Sequence, residues 1–288
     1  MRNLKRALSL TLASIMLLGM MVVGSSAAGF PDVDDTKNVE AIEVLQAVAV
    51  MVGDKDTGNF RPDAPVSRAE MAVIMSNLLG LTTSYYVSTC PFTDVSGSYD
   101  WARGPVGACY ATGVISGRTA TAFDPSATVT AVEAAAMMMR ALGYFKYPSD
   151  YADGFVLSTV RQASKIGLFD DVNADTSAPL TRNQVAQLAL NTLESTMVDA
   201  KKTSADITVG EGDTSVTING AVEYIVRTSS INNKMSTAIK GANTGTDVSG
   251  VTGTTIELGE QLYQGDLVRR ETSAEADVFG APAVRWTY

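Results

Sequence analysis

The sequence predicts a mainly α-helical protein: three helix–turn–helix units in tandem, followed by a small β-rich region. Three observations carry this. A capping-box motif occurs three times, each time ahead of the same apolar stripe. A second helical pattern and a turn precede each box. Beyond residue 200 the composition shifts to Thr, Gly, Val and Ser with period-two alternation.

The N-terminus reads as a secretory signal, residues 1–28. Arg2, Lys5 and Arg6 form a basic start, residues 7–23 an apolar run, and "GSSAA" a small-residue cleavage site. Without those three basic residues the chain keeps 19 Lys+Arg against 31 Asp+Glu, a net charge of −12. An exported chain this acidic is not expected to bind nucleic acid or, after signal cleavage, an anionic membrane surface. An anionic ligand would need a few local arginines working against the overall field.

The first box is Ser67 and Glu70 in "PVSRAEMAVIM", the second Thr130 and Glu133 in "VTAVEAAAMMMRALG", the third Thr181 and Gln184 in "LTRNQVAQLALNTL". In each, the hydroxyl accepts the N–H three residues on, and the third residue's side chain reaches back. The stripes that follow are Met71, Ile74, Met75, Leu78 and Leu79; Ala134, Met137, Met138, Ala141 and Leu142; and Val185, Leu188, Ala189, Thr192 and Leu193. Each is one buried helix face, and its methionines are core filler. Upstream, "FPDV" at Phe30, "FTDV" at Phe92 and "YPSD" at Tyr147 open the units. A helix follows, then a turn: "AVMVG" at 49–53, "GVISG" at 113–117, "GLFDD" at 167–171. Gly113 and Gly167 suit a positive-φ C′ position. Phe-x-Pro follows at Phe60 and Phe123. One helix pair cannot bury its own apolar face, so the units are expected to pack together.

Arg68 and Arg182 sit on the first turn of their helices, where the macrodipole disfavours a cation by about 0.3–1 kcal/mol. A helix N-terminus with an added guanidinium suits an anion, and these two are the leading binding candidates. The second unit has Ala131 at this position. Trp101 is read either as an exposed stacking face or as a core aromatic, with Lys37 and Phe155 at the matching positions. Asp32 and Asp94 either orient an arginine, bond a ligand hydroxyl, or cap the next helix.

The absence of histidine excludes Ser-His-Asp and Cys-His nucleophile systems and the usual catalytic zinc sites. Cys90 and Cys109 are either a disulfide or two buried thiols. "DKDTGN" at 54–59 and "DVNADT" at 171–176 open like calcium loops but lack the sixth-position Gly and the twelfth-position carboxylate. No metal, cofactor or catalytic residue is assigned.

Together, the Phe-x-Asp-Val opening, Trp101-Ala102, Gly-Val-Ile-x-Gly, Phe-x-Pro and Ser/Thr-Arg-Ala-Glu resemble the S-layer homology domain, here in three copies. The resemblance covers residue 29 to about 196. It gives repeats at 29–81, 91–145 and 146–198, the third degenerate, then a linker at 199–205 and a β-rich region at 206–288. The resemblance implies a pseudo-threefold helical bundle that binds secondary cell-wall polysaccharide non-covalently, often through an acidic pyruvylated sugar. The grooves between repeats would hold it, with Arg68, Arg182, Gly53 and Gly117 contributing; Ala131 would leave the second repeat's groove without its charge, Trp101 would be the candidate to stack on a sugar face, and Asp32 and Asp94 the candidates to bond a sugar hydroxyl. It implies a secreted, non-enzymatic protein of a Gram-positive-type wall. A surface-lattice subunit that self-associates through its tail, and a wall-anchored hydrolase whose catalytic part lies in or beyond the tail, are the alternatives. "DITVGEGDTSVTINGAVEYIVRTS" and "TGTTIELGEQLYQGDLVRRE" in the tail both read as hairpins.

Overall fold

In a computed structural model of the chain, the described residues are 29–34, 37–210 and 215–227, with short pieces at 244–246, 252–254, 257–263, 268–272 and 283–287. The expected signal, residues 1–28, lies outside them.

Six helices form three consecutive pairs. They are α1 (Val39–Ala47) with α2 (Arg68–Leu78), α3 (Arg103–Ala111) with α4 (Ala131–Ala141), and α5 (Phe155–Lys165) with α6 (Arg182–Glu194). Short 3-10 turns at Gly97–Ala102 and Pro148–Tyr151 lead into the second and third pairs. All three second helices start at a capping box. Ser67, Thr130 and Thr181 accept the N–H of Glu70, Glu133 and Gln184, whose side chains accept back. Two of the four orphan donors at each helix start are thereby satisfied.

The pairs interlock cyclically: α2 packs on α3, α4 on α5, and α6 on α1. The segment ahead of each capping box reinforces this. Val66 N–H donates to Leu180 O (3.0 Å), Leu180 N–H to Val129 O (2.9 Å), and Val129 N–H to Val66 O (2.9 Å). Three segments distant in sequence thus close one ring of backbone bonds. Around it the core is continuous, with Phe60, Phe92, Phe123, Met71, Met75, Met138 and Met139 fully buried. Each such side chain contributes about 1.5–3 kcal/mol by leaving water.

Two expectations about the tail change. Residues 199–205, expected as a linker, are mostly strand β1 (Val198–Lys202). It pairs antiparallel with β4 (Val222–Val226), from Val198↔Val226 to Lys202↔Val222. Between them β2 (Ile207–Val209) pairs with β3 (Val216–Ile218). The ribbon is fastened to the helices: Val198 N–H donates to Leu142 O, and Tyr224 donates its phenol hydrogen to Asp150 at 2.6 Å. The Tyr224 ring meets Tyr144 edge-on at 4.6 Å. Secondly, "IELGEQLY", expected in a hairpin, contains helix α7 (Leu258–Tyr263), which packs on α6 with Leu258 buried. Leu258 and Leu262 stand four apart, a helical spacing. Strands β5 (Thr244–Thr246) and β6 (Thr252–Thr254) pair, as do β7 (Val268–Thr272) and β8 (Ala283–Thr287).

Cys90 and Cys109 are free thiols, not a disulfide. The Cys109 sulfur points to Ala72 O across the α2–α3 contact, at 3.5 Å. Burial pushes that thiol up to about 12, so it holds no reactive thiolate.

Candidate functional site

The two candidate arginines do not project from their own helices into solvent. Arg68 leaves the start of α2 and crosses to the second pair. Its Nε donates to Phe123 O and its Nη2 to Ser116 O, both at 2.8 Å. The guanidinium lies over the Phe123 ring at 4.5 Å, and the residue is only 4% exposed. Arg182 does the same from the third pair to the first. Its Nε donates to Phe60 O (2.7 Å) and its Nη2 to Val52 O (2.9 Å), with its guanidinium 4.7 Å from the Phe60 ring. Burial lowers the pKa of both arginines from the ordinary arginine value.

Each arginine therefore serves the neighbouring pair's groove. Ala131 follows the same geometry, its N–H donating to Ala178 O of the third pair. This corrects the expected consequence of Ala131: the groove that lacks an arginine is the third, and the second is supplied by Arg68.

The second groove has a volume of 120 Å³ and is lined by Arg68, Gly117, Arg118, Glu133, Arg140 and Phe155, among others. Arg118 pairs with Glu133 at 2.7 Å. Arg140 donates to Val114 O (3.4 Å) and to the Tyr151 hydroxyl (2.9 Å). Burial alone would raise the Glu133 carboxyl. The Thr130 N–H and the Arg118 guanidinium outweigh it and hold the group below the usual carboxylate range. Three guanidinium groups thus share this groove with one carboxylate. Sequence reasoning missed Arg118 and Arg140. Arg118 follows the turn glycine, and Arg140 lies seven residues beyond Glu133, two helical turns along the same face.

The third groove is larger, 490 Å³, and acidic. Glu40, Asp170, Asp171, Glu194 and Glu257 line it with Asn191. Asp170 and Asp171 stand where the second pair has Ser116 and Gly117, and Asn191 stands where it has Arg140.

The other candidates are placed as follows. Asp32 accepts the N–H groups of Phe60 (2.8 Å) and Arg61 (2.7 Å). Asp94 accepts those of Phe123 (2.9 Å) and Asp124 (2.7 Å). Both carboxylates therefore buckle the Phe-x-Pro loop, in which Arg61 and Asp124 hold positive φ of 59° and 63°. The loop in turn presents the carbonyl and ring that receive the arginine. Neither carboxylate caps the next helix; each shapes the loop that meets an arginine. Gly53 and Gly117 are packing glycines. A Cβ would come within 2.6 Å of the Phe30 ring at Gly53 and 2.3 Å of the Phe92 ring at Gly117. Trp101 is 54% exposed, which excludes the core reading. Its 3-10 turn packs against α2, and its ring lies 6.4 Å from Tyr99. Asp54 accepts the N–H groups of Asp56 and Thr57, so its turn is held by its own backbone. Among the described residues no group of three or more His, Cys, Asp or Glu is arranged to hold a metal ion, and no helix is long and apolar enough to cross a membrane.

Residues 29–72 and 91–135 match the family model of the S-layer homology domain, so the chain carries two such domains. It is similar to a cell surface protein of Thermoanaerobacter kivui, 29% identical over 203 residues, which is 69% of this chain and 26% of that protein. It is also similar to the surface-layer 125 kDa protein of Lysinibacillus sphaericus, 29% identical over 64% of this chain and 17% of that one. An endoglucanase of Bacillus sp. strain KSM-635 is 29% identical over 56% of this chain and 18% of its own. The chain thus aligns with 26% or less of the length of these relatives.

Proposed function

We propose that this chain, with its two S-layer homology domains, is a secreted cell-surface protein attached non-covalently to a Gram-positive-type wall through an anionic secondary polysaccharide. Residues 146–198 are a degenerate third repeat, and the three repeats form a pseudo-threefold bundle. The cyclic backbone ring and the equivalent trans-acting positions of Arg68, Ala131 and Arg182 support that reading.

The observation that carries the binding reading is the second groove. It gathers three guanidinium groups around one carboxylate in a chain of net charge −9. An acidic protein concentrates cations there at a cost in repulsion, which is repaid when an anion enters. Arg182, set against Phe60 O and Val52 O, makes the first pair a second anion site, and the acidic third groove is silent. The similarity spans surface-layer proteins and an endoglucanase alike, so it supports attachment and not a particular chemistry, and the chain is proposed to be non-enzymatic.

The test is co-sedimentation of the chain from Gly29 with purified Gram-positive walls, before and after acid removal of pyruvylated polymer. Pelleting that is lost on stripping and falls with added salt is the expected result. Equal pelleting with both walls would refute polymer binding.

A second reading, a lattice subunit assembling through its tail, is favoured by one observation. Ile207, Val209, Val216 and Ile218 are each about 60% exposed, and they face one another across the β2–β3 ladder. Ile207→Thr with Val216→Thr would abolish a concentration-dependent rise in sedimentation coefficient if the hairpin assembles.

A further inference from the structure

Glu133 divides its carboxylate between two tasks. Oε2 accepts the Thr130 N–H at 3.1 Å and so completes the capping box. Oε1 holds Arg118 Nη1 at 2.7 Å across the groove. The third pair shows that the first task needs no charge. There Gln184 Oε1 accepts the Thr181 N–H at 3.0 Å and the cap is intact. The charge on Glu133 therefore acts on the groove's guanidinium groups: directly on Arg118, which it holds, and through space on Arg68.

Arg118 is also the most exposed and least braced member of the arginine set. Arg68 is committed to two backbone carbonyls beneath the groove, and Arg140 is braced by Val114 O and Tyr151. The Arg118 side chain is 47% exposed, and among the described bonds its guanidinium is held through Glu133. An ion pair this accessible is worth only about 0–1 kcal/mol, so another carboxylate can take its place. The groove's 120 Å³ corresponds to about four waters at roughly 30 Å³ each. That is room for a carboxylate-bearing substituent.

We propose that Arg118 is a carboxylate-binding arm held in reserve by Glu133. An anionic substituent entering the second groove takes the guanidinium fork from Glu133 and is held between Arg118 and Arg140 above Arg68. Glu133 thereby acts as a built-in competitor. It keeps the empty groove from collecting unspecific anions, and it lowers the affinity for the cognate one. This rests on the anionic-polymer reading above and assigns the specificity element of that site.

The test uses the chain from Gly29 and calorimetric titration with a pyruvyl-acetal methyl hexoside and with its uncharged methyl ester. Glu133→Gln keeps the cap, as Gln184 does, but turns an amide toward Arg118. It is expected to bind the acid about two- to fivefold tighter, the range that loss of one exposed competing pair allows, with the ester unchanged. Adding Arg118→Gln should abolish that gain. If wild type binds the acid and Glu133→Gln binds it equally or more weakly, the exchange is wrong and the polymer reading stands. If the gain survives Arg118→Gln, the arm is misassigned. If wild type binds neither the acid nor intact walls, both the inference and the reading beneath it fall.

Discussion

Ala49 has a φ of 56°, at the position where the second and third pairs place Gly113 (75°) and Gly167 (73°). A Cβ in the left-handed region costs about 1–2 kcal/mol, so the first pair carries strain that the other two avoid. Ala49→Gly should stabilise the protein by about 1 kcal/mol, read as a rise in melting temperature, and Gly113→Ala should lower stability by a similar amount. A second residue-scale prediction concerns acid. Thr130 and Arg118 hold the Glu133 carboxyl low against the opposing effect of burial. A carboxylate depressed on folding stabilises above its unfolded pKa, about 4.3, and loses that contribution as pH falls through its folded value. The stability gap between wild type and Arg118→Gln is therefore open near about pH 6, at 0–1 kcal/mol for so exposed a pair. It should narrow as pH falls below about 4.3 in denaturant melts at each pH.

The Phe-x-Pro loop is the element on which the grooves depend. Asp94 ties down its two N–H groups, its positive-φ residue turns the chain, and its carbonyl and ring then receive an arginine from another unit. Asp94→Ala leaves those donors unpaired and should cost about 1.5–3 kcal/mol. Its groove should also loosen, seen as faster amide exchange at Phe123 and Asp124. Arg68→Ala is a structural lesion as well: it strips Phe123 O and Ser116 O of their donor at a 4% exposed site. A loss of wall binding in that variant would therefore not separate ligand contact from folding, whereas changes at Arg118 would.

Across the whole molecule, the β1–β4 ribbon is joined to the helical region by contact and not merely by sequence. Tyr224 bonds Asp150 and packs on Tyr144, while β1 begins within four residues of α6. Burial and the bond to Asp150 push the Tyr224 phenol above the usual tyrosine range. A tyrosine whose folded pKa is raised contributes fully below its unfolded value, about 10, and the contribution fades as pH climbs above that. Limited proteolysis should therefore cut near residues 203–206 faster above about pH 10 than at neutral pH. Tyr224→Phe should show fast cutting at neutral pH already.

The features legible along the chain are local and periodic. The boxes at Ser67, Thr130 and Thr181, the apolar stripes behind them and the glycine turns follow from spacing, because a helix start and a buried face are decided within a few residues. The tertiary structure decided direction. An arginine on the first turn of α2 was legible as anomalous, but that it leaves its own unit and serves the next depends on the cyclic packing of the pairs. For the same reason Ala131 bears on the third pair's groove and not on that of its own unit. Asp32 and Asp94 act on loops 28 and 29 residues away, and Arg118, Glu133 and Arg140 meet only once α4 is folded against its turn. Spacing along a chain encodes contacts one helical turn apart. Contacts between units are set by which apolar faces bury against each other, and only the assembled core specifies those.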